Sequence, residues 1–208
     1  MSIMPKDWIV KDRALFIKEK KVLILSDIHF GKFNILESDY TNISNRIKRL
    51  IENFNPKILV LNGDIWNQFP FDEESIVLLS ELQTKVDELI IIEGNHEEKC
   101  GGFTIEINNE FKTMKEYKID DILIHHGHHT PTEKANHHVI GHIHPTINGN
   151  PVYLHSDDSY YGSSVTILPA FSTKINGNDI NTSYNYAGHC PLIHDGKDIN
   201  QYKFQSIN

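Results

Sequence analysis

Histidine dominates the polar chemistry of this sequence. Thirteen of its 208 residues are histidine, and eight of them (His125, His126, His128, His129, His137, His138, His142 and His144) fall between positions 125 and 144. Around them stand five polar blocks, SDIHFGK (26–32), NGDIW (62–66), GNHE (94–97), HHGH (125–128) and GHIHP (141–145). Imidazole, carboxylate and carboxamide oxygen without thiolate suit a borderline or hard divalent ion such as Mn2+, Fe2+ or Zn2+. In an extended segment residues i and i+2 face the same way, so Asp27 with His29, and His142 with His144, read as clamps that each close on one point. Asp27, His29, Asp64, Asn95, His126, His142 and His144 exceed what one ion uses and suffice for two. Asp64, midway in the order, is the carboxylate to bridge them. Glycines beside Asp64, Asn95, His126 and His142 let the backbone turn where a Cβ would obstruct it.

Each block ends an apolar run, and these runs are the elements that must position it. Val22–Ser26 (VLILS), Ile58–Leu61 (ILVL) and Leu89–Ile92 (LIII) read as strands buried on both faces. Between them, Ser38–Phe54 carries Ile43, Ile47, Leu50, Ile51 and Phe54 at helical spacing and is closed by Pro56. Glu73–Val86 carries Ile76, Leu79, Leu82 and Val86. The alternation predicts right-handed crossovers around a parallel sheet. Beyond residue 100 the pattern changes to short strands, Phe103–Ile107, Lys115–Ile119, Ile122–His125, His138–Ile140, Val152–His155 and Val165–Leu168, without a helix between them. A second, largely antiparallel sheet is the economical reading. The expected fold class is mixed α/β, a four-layer αββα sandwich of two facing mixed sheets flanked by helices, as one domain over residues 1–208. An Asp or Asn after one strand is ordinarily a turn or cap residue; the same accident at five strand ends is not expected.

Composition narrows the class further. Hydrophobic residues at 39% and charged residues at 23% exclude collagen-like and disordered chains. A net charge of −8 repels a long polyanion and argues against a broad nucleic-acid surface unless bound metal reverses the sign locally. No apolar run reaches the roughly 18–20 residues of a membrane span, and the opening MSIMPKDWIVKDRALF has charges where a signal peptide is apolar. Cys100 and Cys190 lack a CxxC partner and read as free thiols. A cytoplasmic protein is expected.

In order and spacing the five blocks resemble those of the calcineurin-like metallophosphoesterases, over about positions 20 to 175. The tail TILPAFSTKINGNDIN (166–181) and the strand-like opening resemble the ICC-like phosphoesterase group, related to double-strand-break repair nucleases. The resemblance implies that Asp27, His29 and His144 bind a first metal, that Asn95, His126 and His142 bind a second, and that Asp64 bridges both. It implies His96 as the catalytic residue that is not a ligand, stabilising developing charge or protonating the leaving group. His128 and Lys32 are candidate substrate contacts. Glu97 stands where an Asp is commoner in the family.

The implied activity is a phosphoric ester hydrolase, a phosphodiesterase before a phosphomonoesterase, in which two divalent ions activate a bridging hydroxide for in-line attack on phosphorus. Mn2+ is the first choice of ion, with Fe2+, Zn2+ or Ni2+ as alternatives. The substrate is a phosphate ester such as a nucleotide or a nucleic-acid end, with no membrane partner. Three alternatives compete: a nuclease acting on DNA or RNA ends, an inactive scaffold of the same fold, and a His-rich metal buffer. A scaffold should have lost ligands, and a buffer should not confine its histidines to strand ends. Phe30, Phe33, Trp66, Phe69 and Phe71 read as core or rim residues, with base stacking as their other use. Leu168–Phe171 is expected to be structural.

Overall fold

A computed structural model describes residues 5–31, 37–67, 73–99, 111, 113–160, 162–180 and 203–206. A hairpin of β1 (Trp8–Lys11) and β2 (Ala14–Ile17) leads into β3 (Val22–Ser26), α1 (Glu37–Phe54), β4 (Ile58–Asn62), α2 (Glu73–Gln83), β5 (Glu88–Ile92), the short α3 (Asn95–Lys99) and β6 (Thr113–Met114). These six strands form one sheet in sequence order, antiparallel through the hairpin and parallel from β3 to β6. Helix α1 stops where Asn55 takes a left-handed backbone (φ 46°) and its N–H donates to the Ile51 carbonyl. Asn tolerates that conformation, and the following Pro56 cannot continue a helix. Helix α2 ends three residues before the predicted Val86, because Thr84 Oγ1 donates to the Glu81 carbonyl, 2.7 Å away, and diverts the backbone into a turn.

Successive residues of β3, β4 and β5 face opposite ways and build two cores. Leu23, Leu25, Leu59, Leu61 and Ile91 pack under Ile43, Ile47 and Leu50 of α1 and Leu78, Leu79 and Leu82 of α2. Val22, Ile24, Val60, Ile90 and Ile92 meet Ile124, Val139 and Tyr153 of a second sheet. The double burial predicted for these strands is therefore what joins the layers. The described helices all precede residue 100, and none is long and apolar enough to cross a membrane.

The second sheet comprises β7 (Glu116–Ile119), β8 (Ile122–His125), β9 (His137–Ile140), β10 (Pro145–Ile147), β11 (Asn150–Tyr160), β12 (Ser163–Ile167) and β13 (Asn178–Asp179), in the order β13-β10-β11-β12-β9-β8-β7, with β14 (Lys203–Ser206) paired to β11. It is mixed: among the described residues four of its strand pairings are antiparallel and three are parallel. Its centre, β8-β9-β12, is parallel, flanked by antiparallel pairs. Parallel neighbours need crossovers, and here a loop over residues 126–136 and the β10–β11 hairpin supply them in place of helices, which is why the sequence pattern suggested hairpins. The predicted strand Phe103–Ile107 lies outside the described residues. Parallel pairing also brings the C-terminal ends of β8 and β9 to one edge of their sheet.

Four histidines without a predicted role are packed into this sheet. His125 Nε2 and His138 Nδ1 share a hydrogen bond of 3.1 Å between β8 and β9. His137 Nε2 and His155 Nδ1 both approach Thr166 Oγ1, at 2.9 and 3.0 Å. Burial lowers His125 and His137 to about 3 and His138 to about 4. These groups stay neutral in the fold but protonate near 6.5 in the unfolded chain, so below that pH the unfolded state binds more protons. Their stabilising contribution is complete above pH 6.5 and is lost as pH falls toward 4. Urea unfolding of the metal-free chain should show a free energy that declines across this window. The slope should flatten in His125→Gln/His138→Gln; an unchanged slope would show that these two rings do not carry the effect.

Candidate metal centre

The five polar blocks leave the C-terminal ends of β3, β4, β5, β8 and β9, where open α/β sheets collect their ligands. Five of the seven predicted ligands have left-handed backbones: Asp27 (φ 58°), His29 (53°), Asp64 (48°), His142 (66°) and His144 (50°). This corrects the extended-chain reading of the i, i+2 pairs. Each strand stops abruptly and the tight turn itself aims the side chains.

Two donor groups result. Ligand atoms of Asp27, His29, Asp64 and His144 lie within 4.8 Å of one another, and those of Asp64, His126 and His142 form a second such group. Asp64 belongs to both. Asp27 with His29 therefore does act as a pair, whereas His142 and His144 divide between the two groups instead of closing on one point. Asp64 Oδ1 is 3.4 Å from His126 Nε2, and its Oδ2 is 3.7 Å from His29 Nε2. His144 Nε2 lies 2.8 Å from Asp27 Oδ1. Asn95, the first residue of α3, has a buried Oδ1 with no hydrogen-bond partner.

The chemistry of these donors fits divalent ions. Both ring nitrogens of His29 and the Nε2 of His126 are also buried without a hydrogen bond, an exception in folded proteins that calls for a ligand. His126 Nδ1 donates to the Asn62 carbonyl at 3.0 Å, so its Nε2 is the nitrogen turned inward. Burial would lower the His126 pKa, but Asp64 and Asp27 outweigh it and raise it to about 10. Burial would likewise raise Asp27, and His144 and His126 reverse this, bringing it to about 2. Burial lowers His29 and His142 to about 4, leaving both as neutral imidazoles, the form that binds metal.

His96 sits at the rim. Its Nδ1 is 3.2 Å from the Asn67 carbonyl and its backbone N–H donates to Asp64 Oδ1 at 3.0 Å, while Nε2 faces Asp64 Oδ2 at 3.8 Å. With 30% of its side chain exposed, it is more open than Asp27, His29, Asp64 or His126, which are all buried. His128 adjoins His126 and His142, at ring separations of 5.3 and 6.0 Å. Lys32, Phe33, Phe69, Phe71, Cys100 and Cys190 lie outside the described residues. Phe30 stacks on Tyr40, and Trp66 donates from Nε1 to Ser75 Oγ; both rings are buried, which removes them as base-stacking surfaces. Leu168–Phe171 is structural as expected, bonding to Ile140 of the second sheet and Ser26 of the first.

Sequence reasoning missed what holds the donors in place. Glu97, 2% exposed, accepts four backbone N–H groups: Oε2 from Gly94 (2.7 Å) and Asp64 (2.9 Å), Oε1 from Ile65 (2.8 Å) and Trp66 (3.0 Å). It locks the Asp64 turn to the Asn95 turn. Burial, and then Asp64, raises its pKa, and the backbone N–H groups of Trp66 and Gly94 oppose that rise. Ser26 Oγ lies 2.6 Å from Asp27 Oδ2 and 2.8 Å from the Asn62 carbonyl, donating to one of them. Two glycines are required by close approach: a Cβ at Gly63 would overlap the His126 ring and one at Gly141 would overlap Ser26 Oγ. The only hint of Glu97 in the sequence was its place one residue after His96. Glu97→Ala strands four buried donors and should cost about 3 kcal/mol or more in urea unfolding, with loss of bound metal. A loss under about 1 kcal/mol would show that water replaces the carboxylate.

The comparisons with known proteins agree with this geometry. A family model described as calcineurin-like phosphoesterase matches residues 20–160. No curated protein matches significantly. Among solved structures the fold is shared with the nuclease MPE of Pseudomonas putida, at 19% identity and a TM-score of 0.63 over 81% of this chain and 82% of that one. YfcE, a phosphoesterase from Escherichia coli, matches at 16% identity and a TM-score of 0.44 over 76% of this chain and 83% of that one. With more than half of its length matched by the family model, and the family's five blocks at the ends of five strands, this chain belongs to the calcineurin-like phosphoesterases.

Proposed function

We propose that this chain, as one domain over residues 1–208, is a dinuclear metal-dependent phosphodiesterase. The observation that carries the reading is the sharing of Asp64 between two donor groups. Asp27, His29 and His144 hold one ion, Asn95, His126 and His142 the other, and Asp64 bridges; Mn2+ is the proposed metal, by the oxygen-and-imidazole donor set. When bound, two such ions activate water for in-line attack on phosphorus and neutralise the phosphoryl oxygens.

The protein's own groups do the rest. His96, fixed through Nδ1 by the Asn67 carbonyl, presents Nε2 to the ester. There it steadies a phosphoryl oxygen or protonates the leaving group. Glu97 keeps Asp64 and Asn95 in register through the backbone. His128 and Lys32 are assigned to the substrate. Hydrolysis of DNA or RNA ends is the second reading, prompted by the nuclease whose fold is shared. The net charge of −8 and the burial of Phe30 and Trp66 favour a small or flexible ester over it.

The test is hydrolysis of a chromogenic phosphodiester, a phosphomonoester and a single-stranded oligonucleotide with Mn2+, with and without chelator. Metal-dependent turnover, fastest on the small diester, is expected; no metal-dependent turnover of any of them would sink the enzyme reading. His96→Ala should lower kcat by about a hundredfold or more with bound metal unchanged. Asp64→Ala should instead empty both positions. Loss of metal from His96→Ala would reassign that residue as a ligand.

A further inference from the structure

Beside the proposed donors stands a third group, of which the proposed chemistry uses only His128. Glu98 comes from α3, and His128 and His129 from the loop after β8. His129 Nε2 lies 2.8 and 2.7 Å from the two carboxylate oxygens of Glu98, and His128 Nε2 lies 3.2 Å from Oε1. One donor atom from each of the three falls within 4.8 Å of the others. An ordinary carboxylate–imidazole ion pair would account for His129. It reaches His128 only through Nε2, 3.2 Å from the same carboxylate, and leaves the buried Nδ1 of His128 and the packing of the two imidazoles at a ring separation of 4.0 Å unaccounted for.

We propose that Glu98, His128 and His129 bind a further divalent ion, Zn2+, separate from the pair centred on Asp64. Two imidazoles and one carboxylate with an open fourth position form the donor set typical of exchangeable zinc sites. Nitrogen and oxygen donors on a tetrahedral zinc ion stand about 3.4 Å apart. The present separations of 2.7 to 3.2 Å are shorter by a few tenths of an ångström, and Glu98 and His129, with side chains 25% and 58% exposed, have room to open by that amount. The site faces an open cleft of about 470 Å3 that Asn95 and His142 also line. On the dinuclear reading, its open position therefore points into the same space as the second ion. It would take an anionic oxygen beside the scissile phosphate, and His128 would reach the substrate through this ion.

Zinc content decides the matter, independently of turnover. The full chain, stripped and then dialysed against excess Zn2+, should retain about three ions. Glu98→Gln/His129→Ala should retain about one fewer, with an unchanged circular dichroism spectrum. Asp64→Ala should keep about one ion, and adding the double substitution to it should remove that ion. Co2+ in the Asp64→Ala chain should give the intense visible absorption of a four-coordinate site, abolished by His129→Ala alone. Equal zinc content in the wild type and the double variant, or no ion left in Asp64→Ala, would overturn the third site. A single ion in the wild type that the double variant loses would uphold the third site while refuting the dinuclear reading.

Discussion

Two carboxylates, Asp27 and Asp64, are buried at one end of the molecule with the His126 imidazole between them, its Nε2 at 3.8 Å from Asp27 Oδ1 and 3.4 Å from Asp64 Oδ1. Like charges so close and so dry require positive charge in their midst. The bare chain meets that requirement with a proton: the two acids raise His126 to about 10, and positive neighbours hold Asp27 at about 2. Buried ion clusters are often no more stable than apolar packing of the same volume. The same carboxylates and imidazoles are a donor set suited to a divalent cation in the proton's place.

The rest of the fold makes that crowding tolerable. Left-handed backbones at Asp27, His29, Asp64, His142 and His144 each cost on the order of 1 kcal/mol or more. Together they approach the whole net stability of a domain, about 5–15 kcal/mol. Opposing this are strands buried on both faces: each Leu or Ile taken fully out of water contributes about 1.5–3 kcal/mol, and β3 alone supplies Leu23, Ile24 and Leu25 at 0% exposure. Strain at the strand ends is thus possible only because the strand bodies are so apolar. The turns are then fixed by groups of low freedom, the Glu97 carboxylate and the Asn62 carbonyl, rather than by long surface side chains.

Where periodicity and burial act together, the sequence was legible. β3 and β8 have the predicted bounds, α1 starts one residue earlier than predicted, and Asp27, His29, Asp64, His126, His142 and His144 fall into two donor groups that share Asp64. What was not legible depends on direction and on three-dimensional closure. A short apolar run does not state whether its neighbour is parallel, so β8, β9 and β12 were taken for antiparallel strands. Yet only parallel pairing lets His126 and the His142 turn leave their sheet at the same edge. The split of His142 from His144 follows from backbone φ, which no i, i+2 rule contains. Glu97 was unreadable for another reason: three of its four partners are backbone N–H groups some thirty residues away, and such partners leave no residue type behind in the sequence.

The histidine excess therefore serves two physical ends, and they respond to opposite ends of the pH scale. In the second sheet His125, His137 and His138 are held neutral down to about 3 to 4, so acid weakens the fold. At the centre His126 is held charged up to about 10. Being raised above its unfolded value, it contributes stability to the metal-free chain in full below pH 6.5 and loses it as pH climbs toward 10. The contacts that shape the centre, Glu97 on four backbone amides and Ser26 against Asp27, are made by the protein alone. Protein contacts thus set the turns on which the donors stand. Unlike a zinc finger, in which metal binding supplies the folding energy, this chain anchors those turns on strands buried on both faces.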